Sequence, residues 1–327
     1  MTHARVPLDD VGIEARRPGV HRVLVSAVQD PPADLPVVTI VGERPGPLVI
    51  AAAGVHGNEY EGPPALWQVA RDLRPSSLRG RVVLLPICNP WAFARGRRET
   101  PDEIDGVNLA RAFPGDPHGT PTQRLAAALL AFLERLGPTL FLDLHSGGAL
   151  YRFLPMVGYR EGLGDVARAR EAARAFGVPA LWALGDHPGT FNAETARRGI
   201  LTVGVEMTGA GGCLEEDVAA DYDGVFNLLR WLGMLADRPA PRVRGPFHRM
   251  TNVLSIADGY AEPVRAIGDP VRAGEPVARV RSPLGEAVAE IPAPHDGAVW
   301  VTRHLRTIRR REMICAVAAP LKGTASG

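Results

Sequence analysis

His56 and Glu59 lie three residues apart in Gly54-Val55-His56-Gly57-Asn58-Glu59. That spacing lets one imidazole nitrogen and one carboxylate address a common cation. Zinc accepts such a pair, and a catalytic zinc wants a third protein ligand and an open position for water. Most His-x-x-Glu pairs are ordinary surface residues, so this one gains weight only from its surroundings. The flanking glycines help, and so does His145 in Asp143-Leu144-His145-Ser146-Gly147-Gly148. The ordinary alternative for His145 is a strand-end histidine satisfied by hydrogen bonds. Asp143, two residues earlier on the same strand face, could instead take the second ring N–H, as a carboxylate usually does for a ligating histidine. Two His and one Glu make a three-ligand zinc site. Such a site needs a base for the water and a cation for the oxyanion. Glu206, closing an otherwise apolar run, is the best base; a helix-capping or salt-bridged acid is the competing reading.

These residues need elements that bring them together. Leu48 to Ala53, Val82 to Ile87, Thr139 to Leu144 and Ile200 to Val205 are short apolar runs that read as buried strands. Val23 to Val28 and Val37 to Val41 read as strands around the turn Asp30-Pro31-Pro32. Helical patterns fall at about 63–73, 122–136, 165–176 and 215–235, with Pro63 and Pro64 in a first turn and Gly137-Pro138 and Gly177 as stops. Strands alternating with helices predict an α/β fold, a mostly parallel sheet with helices on both faces. His56 with Glu59, His145 and Glu206 then stand at the carboxyl ends of strands, the edge where ligands bind in open α/β sheets. The polar stretch 95–120 is a long loop of the kind that usually carries function.

The pattern changes near Pro239-Ala240-Pro241. Beyond it come short β-like runs with Gly and Pro turns, which predict a small all-β domain. The expected division is a catalytic domain over 1–240, a β domain over 241–320 and a frayed tail over 321–327. The 327 residues carry a net charge of +1, which gives no bulk electrostatic case for nucleic acid or membrane binding. No apolar run approaches the ~18 residues of a membrane span, and the first residues lack the apolar segment of a secretory signal. Cys88, Cys213 and Cys315 are far apart and odd in number, which suits a reducing cytoplasm. Trp67, Trp182 and Trp231 are expected in the core. His187 reads as a turn histidine or a cleft residue, and Tyr151 and Tyr159 as candidate substrate contacts.

Four segments carry a resemblance: Gly54 to Gly62, Asp105 to Gly115 (Asp-Gly-Val-Asn-Leu-Ala-Arg-Ala-Phe-Pro-Gly), Asp143 to Gly148, and Val205 to Gly209. In this order they resemble the succinylglutamate desuccinylase/aspartoacylase family, the deacylase branch of the zinc carboxypeptidase-like fold. They are most similar to bacterial members with a C-terminal barrel, which include N-acetyl-diaminobutyrate deacetylases. The resemblance implies one Zn2+ per chain on His56, Glu59 and His145, with Glu206 as the base that moves a proton from water to the leaving amine. It implies that Arg98 polarises the scissile carbonyl, with Arg97 and Arg95 close in sequence. It implies that Arg111 grips a substrate carboxylate, a task suited to a bidentate fork. Ala110 stands where the family has Asn, so one donor is missing there, and Asn108 is the candidate substitute.

The tail also resembles the barrel-sandwich fold of biotinyl and lipoyl carriers. Between 241 and 320 there is no lysine to hold such a cofactor, so a swinging-arm role is excluded. The domain is expected to shape the cleft mouth or a homo-oligomer contact. Arg306 to Arg311 holds four arginines in six residues and reads as a solvated hairpin rim or an anionic patch. The expected protein is a cytoplasmic zinc-dependent amidohydrolase that removes an N-acyl group from an amino acid or related small amine. The competing readings are a carboxypeptidase or amidase on the same site, and a non-catalytic binding protein on the same fold.

Overall fold

The computed structural model describes residues 5–7, 17–237 and 242–324. The chain opens with β1 (Arg5–Pro7), β2 (Gly19–Val28), β3 (Ala33–Val41) and β4 (Arg44–Ala52). Then follow α1 (Gly62–Asp72), β5 (Arg79–Leu85), α2 (Pro90–Ala94), α3 (Pro121–Leu136) and β6 (Leu140–Ser146). After β7 (Tyr151–Phe153) and β8 (Met156–Arg160) come α4 (Val166–Phe176), β9 (Ala180–Leu184), α5 (Phe191–Arg197), β10 (Leu201–Met207) and α6 (Glu215–Trp231). The last part is all strand: β11 (His248–Leu254), β12 (Gly259–Pro263), β13 (Pro270–Val271), β14 (Pro276–Arg281), β15 (Ala287–Pro292), β16 (Gly297–Arg303), β17 (Thr307–Ile308) and β18 (Met313–Pro320).

One sheet runs in the order β1-β2-β3-β5-β4-β6-β10-β8-β9-β11-β18-β16-β13, with β7 pairing β16. At its centre β5, β4, β6 and β10 are parallel. Their apolar runs are buried on both faces, as a strand covered by helices on two sides must be. Parallel pairing recurs at β1–β2, β8–β9 and β9–β11. β2 with β3, β3 with β5, and β10 with β8 are antiparallel, so the sheet is mixed and the expected parallel pairing holds only in part. The reason lies in the connections: β2 turns directly into β3, and β8 follows the short strand β7 without a helical crossover, whereas parallel neighbours need one.

Helices cover both faces, as expected. On one face Leu66 and Val69 of α1, Ala172 and Phe176 of α4, and Val225 and Leu229 of α6 pack on Val49, Leu142 and Val203. On the other, Leu125, Leu129 and Leu133 of α3 pack with Phe191 on Ile50 and Phe141. α3 starts on a reciprocal cap between Thr120 and Gln123 and ends at Gly137, whose φ of 58° is the left-handed conformation glycine tolerates. Trp67 corrects one expectation. The buried stripe of α1 is Leu66, Val69 and Ala70, so Trp67 faces out and is 48 % exposed. Trp182 and Trp231 are half-buried.

The C-terminal strands do not form a detached unit. β11 joins the main sheet beside β9, and β18, β16 and β13 extend it. A second sheet, β15-β14-β12-β17, packs against that extension around Val253, Val277, Val280, Ile291, Val299 and Ile314. The expected boundary at 240/241 lies outside the described residues, as does the end of the tail at 325–327. The arginine-rich stretch is β17 and the turn into β18, where Asp258 and Glu312 accept from the backbone N–H groups of Arg310 and Arg309. Among the described residues no helix is long and apolar enough to cross a membrane.

α4 and α6 cross where Gly224 meets the ring of Phe176. A Cβ at Gly224 would overlap three ring atoms, and Phe176 is only 1 % exposed, so the ring has nowhere to turn. Alanine is the better helix former by about 1 kcal/mol, but overpacking a closed core costs about 1–3 kcal/mol. Gly224→Ala is therefore expected to lower the unfolding free energy by about 1–2 kcal/mol, read from the urea midpoint at unchanged slope.

Candidate active site

Register sets the site. In the parallel pairing of β6 and β10, Glu206 stands opposite His145, and Met207 opposite Ser146. β4 pairs with β6 up to Ala52 and Asp143. The chain leaving β4 therefore turns at the same edge of the sheet. Gly54 turns it with φ of 61°. Gly57 lies flat against the Ala92 backbone of α2, where any Cβ would overlap the main chain. His56 and Glu59, 3 % and 4 % exposed, are held between these constraints.

His56, Glu59 and His145 offer ligand atoms that all lie within 4.8 Å of one another. His56 Nδ1 is 2.7 Å from Glu59 Oε1, and His145 Nδ1 is 2.9 Å from Oε2. The opposite ring nitrogens have their own partners. Asn108 Oδ1 accepts from the Ala110 N–H at 2.9 Å and lies 3.2 Å from His56 Nε2. That contact makes Nε2 the protonated nitrogen of His56 and leaves a lone pair on Nδ1. Asp143 Oδ1 lies 3.1 Å from His145 Nε2, at ion-pair distance. A lone pair on His56 Nδ1 thus faces one oxygen of Glu59, and His145 Nδ1 faces the other. Only a proton or a metal cation between them makes that arrangement attractive. In the metal-free protein the proton does so at His145. Burial works against the charge, but Asp143 and Glu59 hold the ring well above its ordinary range. Burial pulls His56 down instead. Glu59 is driven well below the usual carboxylate range by His56 and His145, despite its burial. The donor set, nitrogen, oxygen and nitrogen with both rings backed by acceptors, fits Zn2+.

Glu206 is half-buried beside this group. Burial, helped by the charges of Glu59 and Asp143, pushes its carboxyl up to about 8. Of the three nearby arginines, Arg98 alone reaches the cluster, with Nη1 2.9 Å from Glu59 Oε1. Arg97 pairs with Asp102 and Arg95 with Glu103 at the surface. Arg111 lines the same cleft with Nη1 on the Ala110 carbonyl. Asn108 also lines it, but its Oδ1 serves His56 and the Ala110 N–H. The cleft has a volume of about 670 Å³, and Tyr151, Trp182, His187, Arg249, Met250 and Met313 are among its walls. Tyr159 corrects an expectation: it is 1 % exposed, packs edge-on against Phe247 and accepts from Arg170 away from the cleft.

Two features were not foreseen. Glu61 is 1 % exposed and accepts from the N–H groups of Tyr60 at 3.0 Å and Gly209 at 3.1 Å, tying the His56 loop to the end of β10. Arg160 closes β8 and joins the cleft wall with Thr190 and Asn192. Its signal was available: it ends an apolar run with a charge, as Glu206 does.

The family model of the succinylglutamate desuccinylase/aspartoacylase catalytic domain matches residues 45–232. The chain is 33% identical over 294 residues to N-alpha-acetyl-L-2,4-diaminobutyric acid deacetylase of Halomonas elongata, covering 86% of this chain and 84% of the relative. Among solved structures it is similar to a succinylglutamate desuccinylase/aspartoacylase of Rhodobacter sphaeroides, at 29% identity and a TM-score of 0.83 over 94% of this chain and 97% of that one. It is also similar to the ectoine utilization protein EutE (DoeB) of Ruegeria pomeroyi, solved with product bound, at 28% identity and a TM-score of 0.83 over 93% and 96%. A match that covers more than half of the chain, together with a relative aligned over most of its length, establishes that the chain belongs to the succinylglutamate desuccinylase/aspartoacylase family.

Proposed function

We propose that this protein is a zinc-dependent amidohydrolase that removes an acyl group from the nitrogen of an amino acid or related small amine. The observation that carries the reading is the pair of imidazole nitrogens converging on one carboxylate, with Glu206 across the strand register from His145. The deacetylase of Halomonas elongata, a relative over most of the chain, supports an N-acetylated substrate. Bound at His56, Glu59 and His145, a Zn2+ ion would supply Lewis acidity and make water a nucleophile near neutral pH. Glu206 is placed to take the proton of the attacking water and to return it to the leaving nitrogen. A carboxyl titrating near 8 without the cation has the proton affinity that such a shuttle needs, and nearby positive charge lowers it toward working pH. Arg98, fixed by Glu59, presents its guanidinium to the cleft as a stabiliser of the oxyanion. Asn108 holds the His56 ring in the tautomer that leaves Nδ1 free, and Asp143 stands 3.1 Å behind the His145 ring.

The decisive experiment pairs metal content with turnover of N-acetyl amino acids. About one zinc per chain is expected, with activity lost on chelation and regained on adding zinc. Glu206→Gln should keep the metal and lose about 10³–10⁴-fold in kcat, in the upper part of the range for a positioned acid–base group. Zinc-free protein, or full activity in that variant, would sink the reading.

The titration of Glu206 also makes a stability prediction for the metal-stripped protein. Its folded value, about 8, is above the ordinary 4.5. The folded state therefore holds a proton that the unfolded chain releases. The stabilisation is fully present below pH 4.5 and is lost as pH rises through about 8. His145, also raised, acts in the same direction. Stripped wild type should lose melting temperature between pH 6 and 9, and Glu206→Gln should flatten part of that decline. A decline of equal slope in the variant would contradict the assignment.

A further inference from the structure

A second groove, of about 510 Å³, runs along the seam between β7 and the C-terminal strands. Both parts of the chain supply its walls. Arg152 and Leu154 come from the β7 segment and Leu214 from the turn into α6. Arg265 and Ile267 come from the β12–β13 connection and Arg306 from the turn into β17. Arg152 stands opposite Thr302 in the antiparallel pairing of β7 and β16, so the two side chains share a face. Tyr151 alternates to the other face, where it walls the catalytic cleft, and Phe153 borders both cavities. Arg152 takes no part in the cleft wall. One short strand thus separates the two cavities.

Three arginines meet there with one acid. Arg152 is exposed, and Arg265 and Arg306 are half-buried. Among the described residues neither Arg152 nor Arg306 has a carboxylate at ion-pair distance; Arg306 Nη1 donates to the Arg303 carbonyl at 3.2 Å. Arg265 Nη2 stands 3.6 Å from Glu275 Oε2, too far for a hydrogen bond. The neighbouring acids have other partners: Glu312 pairs with Arg303, Glu262 with Arg281, and Asp217 accepts from the Thr208 N–H. Glu216, in the first turn of α6, is the one acid on the wall, and it forms an ion pair with none of the three arginines. Three arginines against one glutamate leave an excess of two positive charges. Leu154, Leu214 and Ile267 add apolar surface to the same walls, and Leu214 is 37% exposed. A concave surface of one sign concentrates its counter-ion, and apolar walls with a few fixed polar groups are the usual make-up of a small-molecule site.

The structure assigns this groove to a small amphipathic dianion, a phosphate monoester with an apolar body. The charge excess matches a monoester, which carries about −1.5 to −2 at neutral pH. The three guanidinium groups reach the groove from three separate segments, so they address an anion from several sides. That suits a phosphate, with oxygens all round, better than a carboxylate, which offers one edge to one fork. The Thr302 hydroxyl, beside Arg152, is a further donor. The leucines and Ile267 take the body of the ester. The site is apart from the metal ligands and does not depend on the amide-hydrolase reading of the cleft.

Isothermal titration of the protein with phenyl phosphate, inorganic phosphate and benzoate tests the assignment. Phenyl phosphate should bind saturably. Inorganic phosphate, without the apolar body, and benzoate, with one charge fewer, should each bind about tenfold more weakly. Arg152→Gln and Arg306→Gln should each weaken phenyl phosphate by about tenfold, the worth of one charge-assisted contact. Both side chains lie outside the core, and the melting temperature without ligand checks that each variant is folded. Arg111→Gln, which alters the catalytic cleft, should bind phenyl phosphate as wild type does, and so should protein stripped of metal by a chelator. Absence of saturable binding would overturn the site, and so would inorganic phosphate binding as tightly as the ester. Affinity that survives both Arg152→Gln and Arg306→Gln but falls in Arg111→Gln or on metal removal would put the anion in the catalytic cleft and overturn it as well.

Discussion

Both oxygens of Glu59 are faced by imidazole nitrogens, His56 Nδ1 at 2.7 Å and His145 Nδ1 at 2.9 Å. Every other group of the site is arranged around that contact. Asn108 and Asp143 back the two rings from behind. Arg98 reaches Glu59 from the cleft, and the Ser146 N–H donates to Glu59 Oε2 at 3.2 Å from the strand end. A carboxylate so surrounded cannot relax away from the two rings, so the demand for a cation is built into the fold. With Asp143, Glu59 also holds His145 above its ordinary range, while burial is the main cause of the rise at Glu206.

The sheet meets the positional demand through register. The parallel strands β4, β6 and β10 end together, and a slip of one residue would turn Glu206 or His145 to the opposite face. Glu61 reinforces the alignment from beneath, joining the His56 loop to Gly209 just past β10. Backbone constraint completes it: Gly57 lies too close to Ala92 for any side chain.

Much of this was readable from residue types. Apolar runs ending in a His or Glu located the strands and the shared edge, and proline and glycine marked the helix limits. The juxtaposition of His56, Glu59 and His145 followed from strand ends alone. What the sequence hid were matters of direction and pairing. Nothing in the spacing showed that β8 runs against β10, because its connection carries no helix and the pairing is set by packing. Tyr159 and Trp67 misled because residue type does not say which side of an element faces the core. Arg95, Arg97 and Arg98 were inseparable by spacing, and only the loop path puts Arg98 on Glu59. Glu61 and Arg160 were visible as letters, but their meaning depends on partners distant in the chain.

The C-terminal strands join the main sheet beside β9, and Arg249, Met250, Asn252 and Met313 form part of the cleft wall. The chemistry and the shape of the entrance therefore belong to different stretches of chain, joined by a continuous hydrogen-bonded sheet. Substitutions on β11 and β18 can widen, narrow or recharge the entrance while the parallel strands that hold the reacting groups stay unchanged. The range of compounds admitted is free to diverge between relatives faster than the reaction performed on them.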